Sequence, residues 1–314
     1  KKKKKFKNIL IIGDGNWARM YLSVLLNTFF EVEKIIVYSR KNYNYIKNKI
    51  VNKYRFKNVK IYSNFRDVKK EFFSHVVIVN KTSQHFSYVK KLLYRKCFFL
   101  IEKPITQTVA DQKKLIRWSK INKVKFAVGF QRFYAYYFHF FKKRILDKTI
   151  TNSIDFIWYD KNVGNNSVDN KIHLNNFNNK IYLENFLYHI TMILFIFYGK
   201  KKIDLIEKNK FFCKIIYGKI TVNMYYSNSN RKRIREIIFK NKKKDNIMLN
   251  WTNESKTYYL RNGIKKLIKM NFSQHNLQYQ IYYFLDSNVG NFAHLPNSSN
   301  NLFHFFEFLK KIKQ

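Results

Sequence analysis

The sequence predicts an α/β protein: a doubly wound parallel sheet, followed by an α+β domain with an open, largely antiparallel sheet. Three observations carry this expectation. From residue 8 to about 129, short apolar runs alternate with longer amphipathic ones, which is the rhythm of strands and crossover helices. After Gly129 that rhythm gives way to several strand-like runs in series. Between the first strand and the first helix stands Gly13-Asp14-Gly15-Asn16-Trp17-Ala18, a glycine turn opening a helix.

The strands of the first domain are read at Asn8–Ile12, Lys34–Tyr38, Val59–Tyr62, Val76–Val79, Phe98–Ile101 and Lys125–Gly129. Their apolar residues run without alternation, as in strands covered on both faces. The amphipathic stretches Asn16–Phe29, Asn42–Tyr54, Arg66–Phe73, His85–Arg95 and Val109–Asn122 are read as the intervening helices. We place the domain boundary at 130/131, with the second domain running to 314. It opens with a helix at Phe138–Leu146 and a long strand at Thr151–Tyr159. An Asn-rich loop at Asn162–Asn179 and an apolar helix at Leu183–Phe197 follow. Strands are expected at Ile203–Lys208, Phe211–Tyr217, Ile220–Tyr226, Arg233–Phe239, Ile247–Trp251 and Lys256–Leu260. Helices at Leu277–Leu285 and Leu302–Ile312 close the chain, and no internal repeat is visible.

The glycine turn has a specific chemical reading. Gly13 permits a tight turn, Gly15 lets the backbone approach a pyrophosphate, and Ala18 lets the helix lie close on the sheet. Asn16 and Trp17 open that helix, whose unpaired N–H groups and positive dipole end suit phosphate. The second strand ends Tyr38-Ser39-Arg40-Lys41, where a fold preferring NAD places a carboxylate for the ribose 2′-hydroxyl. A hydroxyl beside two cations, with no acidic residue following that strand, suits a 2′-phosphate. NADP is therefore expected over NAD. After the fourth strand, Asn80 and His85 would face the nicotinamide half, although His85 could equally cap or pack on its helix. After the fifth strand comes Glu102-Lys103-Pro104, which puts a lysine at the carboxyl edge where ligands of such sheets bind.

Composition excludes several classes. The net charge is +43, from 62 Lys+Arg against 19 Asp+Glu, a balance that alone would suggest nucleic acid. The lysines are spread along the chain, and Phe and Tyr are abundant with them (31 and 23) while Gly and Pro are scarce (8 and 2). A codon bias explains the lysine and the phenylalanine at once; nucleic-acid binding explains only the lysine. The longest candidate basic patch, Asn230–Lys244, is read as solvated hairpin ends. Cys97 and Cys213 are too few and too far apart for a disulfide framework or a zinc site, so no metal is expected. Lys1–Ile12 imitates a secretion signal, but the apolar part is short and runs into the glycine turn. Phe186–Tyr198 is too short to span a bilayer. A cytoplasmic protein with no membrane partner is expected.

Together these residues resemble the glucose–fructose oxidoreductase and inositol dehydrogenase family. The resemblance rests on Gly13-x-Gly15-x-x-Ala18, Val76-Val-Ile-Val with His85, Glu102-Lys103-Pro104, Val128-Gly129-Phe130-Gln131-Arg132-Phe133, and His189 with Gly199. It covers the first domain and the start of the second. It implies a Rossmann domain that binds NAD(P), then a domain whose open sheet carries a sugar-like substrate and offers a homo-oligomer contact. By that resemblance Lys103 orients substrate and assists proton transfer, and His189 is the general acid/base on the reacting hydroxyl. Glu102 falls beside the expected cofactor cleft, Gln131 and Arg132 after the sixth strand are expected to approach the cofactor or the interdomain hinge, and Asn185 would hydrogen-bond substrate. Two positions depart from the family pattern: Asn185 and Met192 stand where carboxylates are common. They motivate an alternative, a cofactor-binding protein that has lost catalysis and acts as a redox sensor or interaction partner.

Overall fold

The computed structural model describes residues 8–27, 32–53, 58–121, 124–134, 141–143, 151–161, 190, 193–199, 201–209, 211–230, 232–241, 246–250, 257–261, 263–268 and 276–286. Two compact units emerge: Lys1–Ala135 with His275–Phe303, and Tyr136–Gln274 with His304–Gln314.

The first unit is built on six parallel strands: β1 (Ile9–Ile12), β2 (Ile35–Tyr38), β3 (Val59–Tyr62), β4 (His75–Ile78), β5 (Phe98–Ile101) and β6 (Lys125–Val128). Their spatial order is β3-β2-β1-β4-β5-β6, so the winding reverses between β1 and β4. At such a reversal the neighbouring loops leave in opposite directions and open a crevice at the carboxyl ends of the strands. β1 pairs with both neighbours in register, Ile9 opposite Ile35 and His75. Every residue of β1, β2 and β4 is buried, which is why their apolar runs do not alternate.

Helix α1 (Asn16–Asn27) buries Ala18, Tyr21, Leu22 and Leu25, an i, i+3, i+4, i+7 stripe, on the sheet. The segment expected as one helix over Asn42–Tyr54 is α2 (Tyr43–Tyr45), then a π-turn (Ile46–Ile50) and a 3-10 turn (Val51–Lys53). Helix α3 (Phe65–Val68), capped by Asn64, stops well short of the expected Phe73. Past it Arg95 donates to the main-chain oxygens of Glu71 (2.7 Å) and Lys69, drawing those carbonyls away from a helical ladder. Helix α4 (Thr82–Lys91) starts three residues before His85. Helix α5 (Val109–Lys120) is capped by Thr108, whose hydroxyl accepts from Asp111 N (3.1 Å).

Glu71 gathers three donors at the β3 edge: Lys34 (3.1 Å), Lys60 (2.8 Å) and the Tyr62 hydroxyl. Lys60 and Tyr62, then Lys34, hold its carboxyl down at about 2 against an ordinary 4.5. A lowered folded pKa means that its stabilisation is present above pH 4.5 and is lost as pH falls towards 2. Glu71→Gln should therefore lower the neutral-pH melting temperature and flatten the acid limb of stability against pH in thermal melts. The expected loss is about 1–2 kcal/mol, since Lys60 is 49% exposed and its share is screened. An unaltered acid limb would show that Glu71 is not the group that titrates.

Helix α6 (Asn276–Asp286) corrects the expected division of the chain. The sequence reading gives it to the second domain, but it completes the core of the first unit. Leu277, Ile281, Phe284 and Leu285 are buried there, each worth about 1.5–3 kcal/mol. Gln280 Nε2 donates to the Tyr21 hydroxyl (2.6 Å), and Tyr283 stacks on Tyr134 at 5.4 Å. An amphipathic helix shows in sequence that it has an apolar face, not which sheet it covers.

The second unit carries an eight-stranded sheet. Its strands are β7 (Ser153–Lys161), β8 (Ile203–Lys208), β9 (Phe212–Tyr217), β10 (Ile220–Asn230), β11 (Ile234–Lys240), β12 (Asn246–Asn250), β13 (Tyr258–Arg261) and β14 (Ile264–Leu267). The order is β14-β13-β12-β11-β7-β10-β9-β8, antiparallel except for the β7–β10 pair. Alternate residues such as Ile154, Phe156, Trp158, Ile215, Val222, Met224, Ile237 and Phe239 are buried. Phe141 and Phe197 meet Phe239 on that face, at 5.3 and 5.5 Å. Asp155 binds Asn223 (2.9 Å) and Lys240 across neighbouring strands. β14 has no counterpart in the sequence reading because all four of its residues are exposed, which removes any burial alternation. Residues 141–143 and 193–198 are helical, overlapping the two helices expected at Phe138–Leu146 and Leu183–Phe197. The expected loop at Asn162–Asn179 and helix at Leu302–Ile312 lie outside the described residues.

Candidate functional site

The carboxyl edge of the parallel sheet brings together most of the first-domain residues singled out in the sequence. Gly13 leaves β1 with φ +146° and donates its N–H to Tyr38 O (3.1 Å). A Cβ there would come within 3.0 Å of the Val79 main chain at the end of β4. Only glycine meets both conditions without strain. Gly15 is the opposite case: it is exposed, and a Cβ would meet nothing within 4 Å. Asn16 and Trp17 are exposed on the first turn of α1, which has no acidic residue, and Ala18 is buried against the sheet. The first-turn N–H groups of a helix have no intrahelical partners. An open cradle beneath them fits a pyrophosphate, so the residues present suit a dinucleotide.

At the end of β2 the structure departs from the sequence reading. Ser39 is fully buried and donates to Asp14 Oδ2 (3.4 Å), so its hydroxyl does not face outward to a ligand. The same oxygen accepts from Lys41 N (2.9 Å) and Asn42 N (3.3 Å). The acidic residue found missing after the second strand is thus supplied from the glycine turn. Arg40 is exposed on this loop. Beside it, Tyr38, Phe65 and Tyr88 form a cluster with ring centroids 5.1–5.8 Å apart.

After β4, Asn80 Nδ2 donates to Gln84 Oε1 (2.9 Å), while its buried Oδ1 has no partner among the described residues. His85 is buried, with its ring nitrogens 2.9 Å from Asn80 O and 3.0 Å from Pro104 O. Burial pushes the ring pKa below its usual value, against the pull of the carbonyls. His85 therefore ties the β4 loop to the Glu102-Lys103-Pro104 turn and does not itself face the crevice.

The Lys103–Pro104 bond is cis, and Lys103 is half-buried on the turn after β5. Glu102 is turned into the fold. Its Oε1 accepts from the Tyr21 hydroxyl (2.7 Å), and its Oε2 accepts from Lys103 N (3.2 Å). A Cβ at Gly129 would lie 2.4 Å from the Glu102 carboxylate, so the glycine after β6 makes room for it. Burial raises the Glu102 pKa, while the Tyr21 bond and the Lys103 charge pull it down. Its side chain braces α1, β5 and α6 through Tyr21 and Gln280. Sequence reasoning missed Tyr21 and Gln280 as its partners, because both sit inside otherwise apolar helix faces.

Arg132 lies in the 3-10 turn Gln131–Tyr134 after β6. Asn185, His189 and Met192 lie outside the described residues. Cys97 and Cys213 are buried, and burial pushes both thiols up to about 12, which makes them core residues and not nucleophiles. Among the described residues no cluster could hold a metal, and no helix is long and apolar enough to cross a membrane.

Residues 7–130 match a family described as an oxidoreductase family with an NAD-binding Rossmann fold. No curated protein matches the sequence. Among solved structures, UDP-N-acetylglucosamine 3-dehydrogenase GnnA from Acidithiobacillus ferrooxidans is 13% identical with a TM-score of 0.67, covering 92% of this chain and 90% of its own. A dehydrogenase from Chromobacterium violaceum is 10% identical with a TM-score of 0.75, covering 98% and 94%. Biliverdin reductase from Synechocystis sp. PCC 6803, in complex with biliverdin and NADP+, is 10% identical with a TM-score of 0.65 and 89% coverage of each chain. At these identities the likeness establishes a shared two-domain fold.

Proposed function

We propose, from the match of residues 7–130 to an oxidoreductase family with an NAD-binding Rossmann fold, that the chain transfers hydride between NAD(P) and a carbinol or carbonyl carbon of a sugar-like substrate. The observation that carries this reading is the placement of Lys103 after β5, on the same carboxyl edge as the open Gly15 cradle after β1. A nicotinamide held at this edge would supply or accept the hydride. The chain's own residues do the rest. Gly13, Gly15 and the first turn of α1 hold the pyrophosphate. Lys103 holds the reacting oxygen and stabilises developing alkoxide charge. His189 takes or returns the hydroxyl proton, as an imidazole can near neutral pH. Asn185 hydrogen-bonds the substrate, and Arg132 lies beside the cofactor. A nucleotide sugar is the favoured subclass, consistent with the fold shared with a UDP-N-acetylglucosamine dehydrogenase. The half-exposed face of the eight-stranded sheet is the proposed homo-oligomer contact.

The test is a hydride-transfer assay with the full chain. Reduced cofactor would be followed against ketosugars, aldoses and nucleotide sugars, with the oxidised cofactor run in the reverse direction. Turnover of at least one sugar class is expected. Saturable cofactor binding with no transfer to or from any of them would contradict the reading.

A further inference from the structure

Asp14 does more at this edge than fill the middle of a glycine turn. We infer that it is the carboxylate that reads the adenine-side ribose, and that it makes the chain select NAD over NADP. The inference rests on the dinucleotide reading proposed above. Folds that prefer NAD place an acidic residue at the end of β2, where it binds the ribose 2′-hydroxyl. This chain has Ser39, Arg40 and Lys41 there, yet a carboxylate reaches the same loop from Asp14.

The geometry favours the hydroxyl over the phosphate in three ways. Of the donors at this loop, the N–H groups of Lys41 and Asn42 and the hydroxyl of Ser39 already point at Asp14 Oδ2. Ser39 is fully buried beneath that oxygen and cannot turn to a ligand without breaking the loop. A phosphate at the loop would also sit beside a carboxylate, and like charges at such range repel. The exposed Arg40 and Lys41 oppose this only in part, because water screens exposed cations. Meanwhile the three bonds all go to Oδ2, which leaves Oδ1 of the half-exposed Asp14 to accept from a ribose hydroxyl. The sequence expectation of NADP rests on a hydroxyl and two cations after β2 with no acidic residue following that strand. The acid comes from another strand end.

The experiment titrates the full chain, as wild type, Asp14→Asn and Arg40→Ala, with NADH and with NADPH, following fluorescence. Asp14→Asn keeps an acceptor for the loop N–H groups while removing the charge. Wild type should bind NADH at least about tenfold more tightly than NADPH. Asp14→Asn should bring that ratio to about one or invert it, and Arg40→Ala, which does not touch the bracing, should widen it. Tighter NADPH binding by wild type overturns the inference while leaving the dinucleotide reading intact. So does a ratio that Asp14→Asn leaves unchanged. Failure to bind either dinucleotide overturns both.

Discussion

Replacing Lys103 by alanine is expected to slow turnover by about 100-fold or more while dinucleotide affinity stays within a few-fold. The lysine sits on the turn after β5, and its neighbour Glu102 is committed to Tyr21. The proposed place of the Lys103 ammonium is at the substrate oxygen and not at the pyrophosphate, which the β1 turn is proposed to hold. An interaction made mainly as alkoxide charge develops lowers kcat when removed and leaves ground-state binding of the cofactor alone. The supporting framework should survive the change, because His85 holds Asn80 O and Pro104 O through main-chain oxygens that do not depend on the lysine side chain. Unchanged turnover would remove Lys103 from the mechanism. A loss of cofactor affinity equal to the loss of turnover would assign it to dinucleotide binding.

The second large effect is expected at Gly13. Gly13→Ala puts a side chain on a backbone at φ +146° and within 3.0 Å of the Val79 main chain. Neither neighbour can yield cheaply: Val79 N is bonded to Ile12 O and Gly13 N to Tyr38 O. The expected cost is about 1–3 kcal/mol of stability, together with a dinucleotide affinity reduced by at least about tenfold, because the turn that shapes the cradle must move. Melting temperature and NADH titration read the two effects separately. Gly15→Ala is the informative partner, since the site around Gly15 is open and the fold should tolerate the methyl group. If Gly13→Ala melts and binds like wild type, the tight approach between β1 and β4 is not what forms the site.

These expectations show which parts of the molecule are legible in its sequence. Strands β1, β2 and β4 are visible because burial on both faces leaves continuous runs such as Ile9–Ile12 and Ile35–Tyr38. The glycine turn is visible because its residues are constrained one at a time, by backbone conformation at Gly13 and by helix–sheet packing at Ala18. What escapes is whatever depends on partners distant along the chain. Asp14 reads as an ordinary turn residue until the β2 loop closes over it. Glu102 reads as part of a ligand motif, yet its carboxylate is turned inward to Tyr21, which in turn accepts from Gln280, 259 residues further along the chain. His85 is visible as a candidate, but its two carbonyl partners are not. Helix α6 is legible in sequence as a helix, but its apolar stripe would suit either sheet, so the unit it covers shows only in the fold.

The central claim is that one dinucleotide seats on the Gly13–Ala18 turn. Trp17, 42% exposed on the first turn of α1, reports on that turn directly. The most direct measurement is a titration of the full chain with NADH, following energy transfer from tryptophan to the reduced nicotinamide, in wild type, Trp17→Phe and Gly13→Ala. The account predicts saturable binding at one site per chain, a transfer signal reduced in Trp17→Phe, and a binding curve displaced to higher concentration in Gly13→Ala. No saturable binding of NADH or NADPH, or binding indifferent to Gly13, would contradict it.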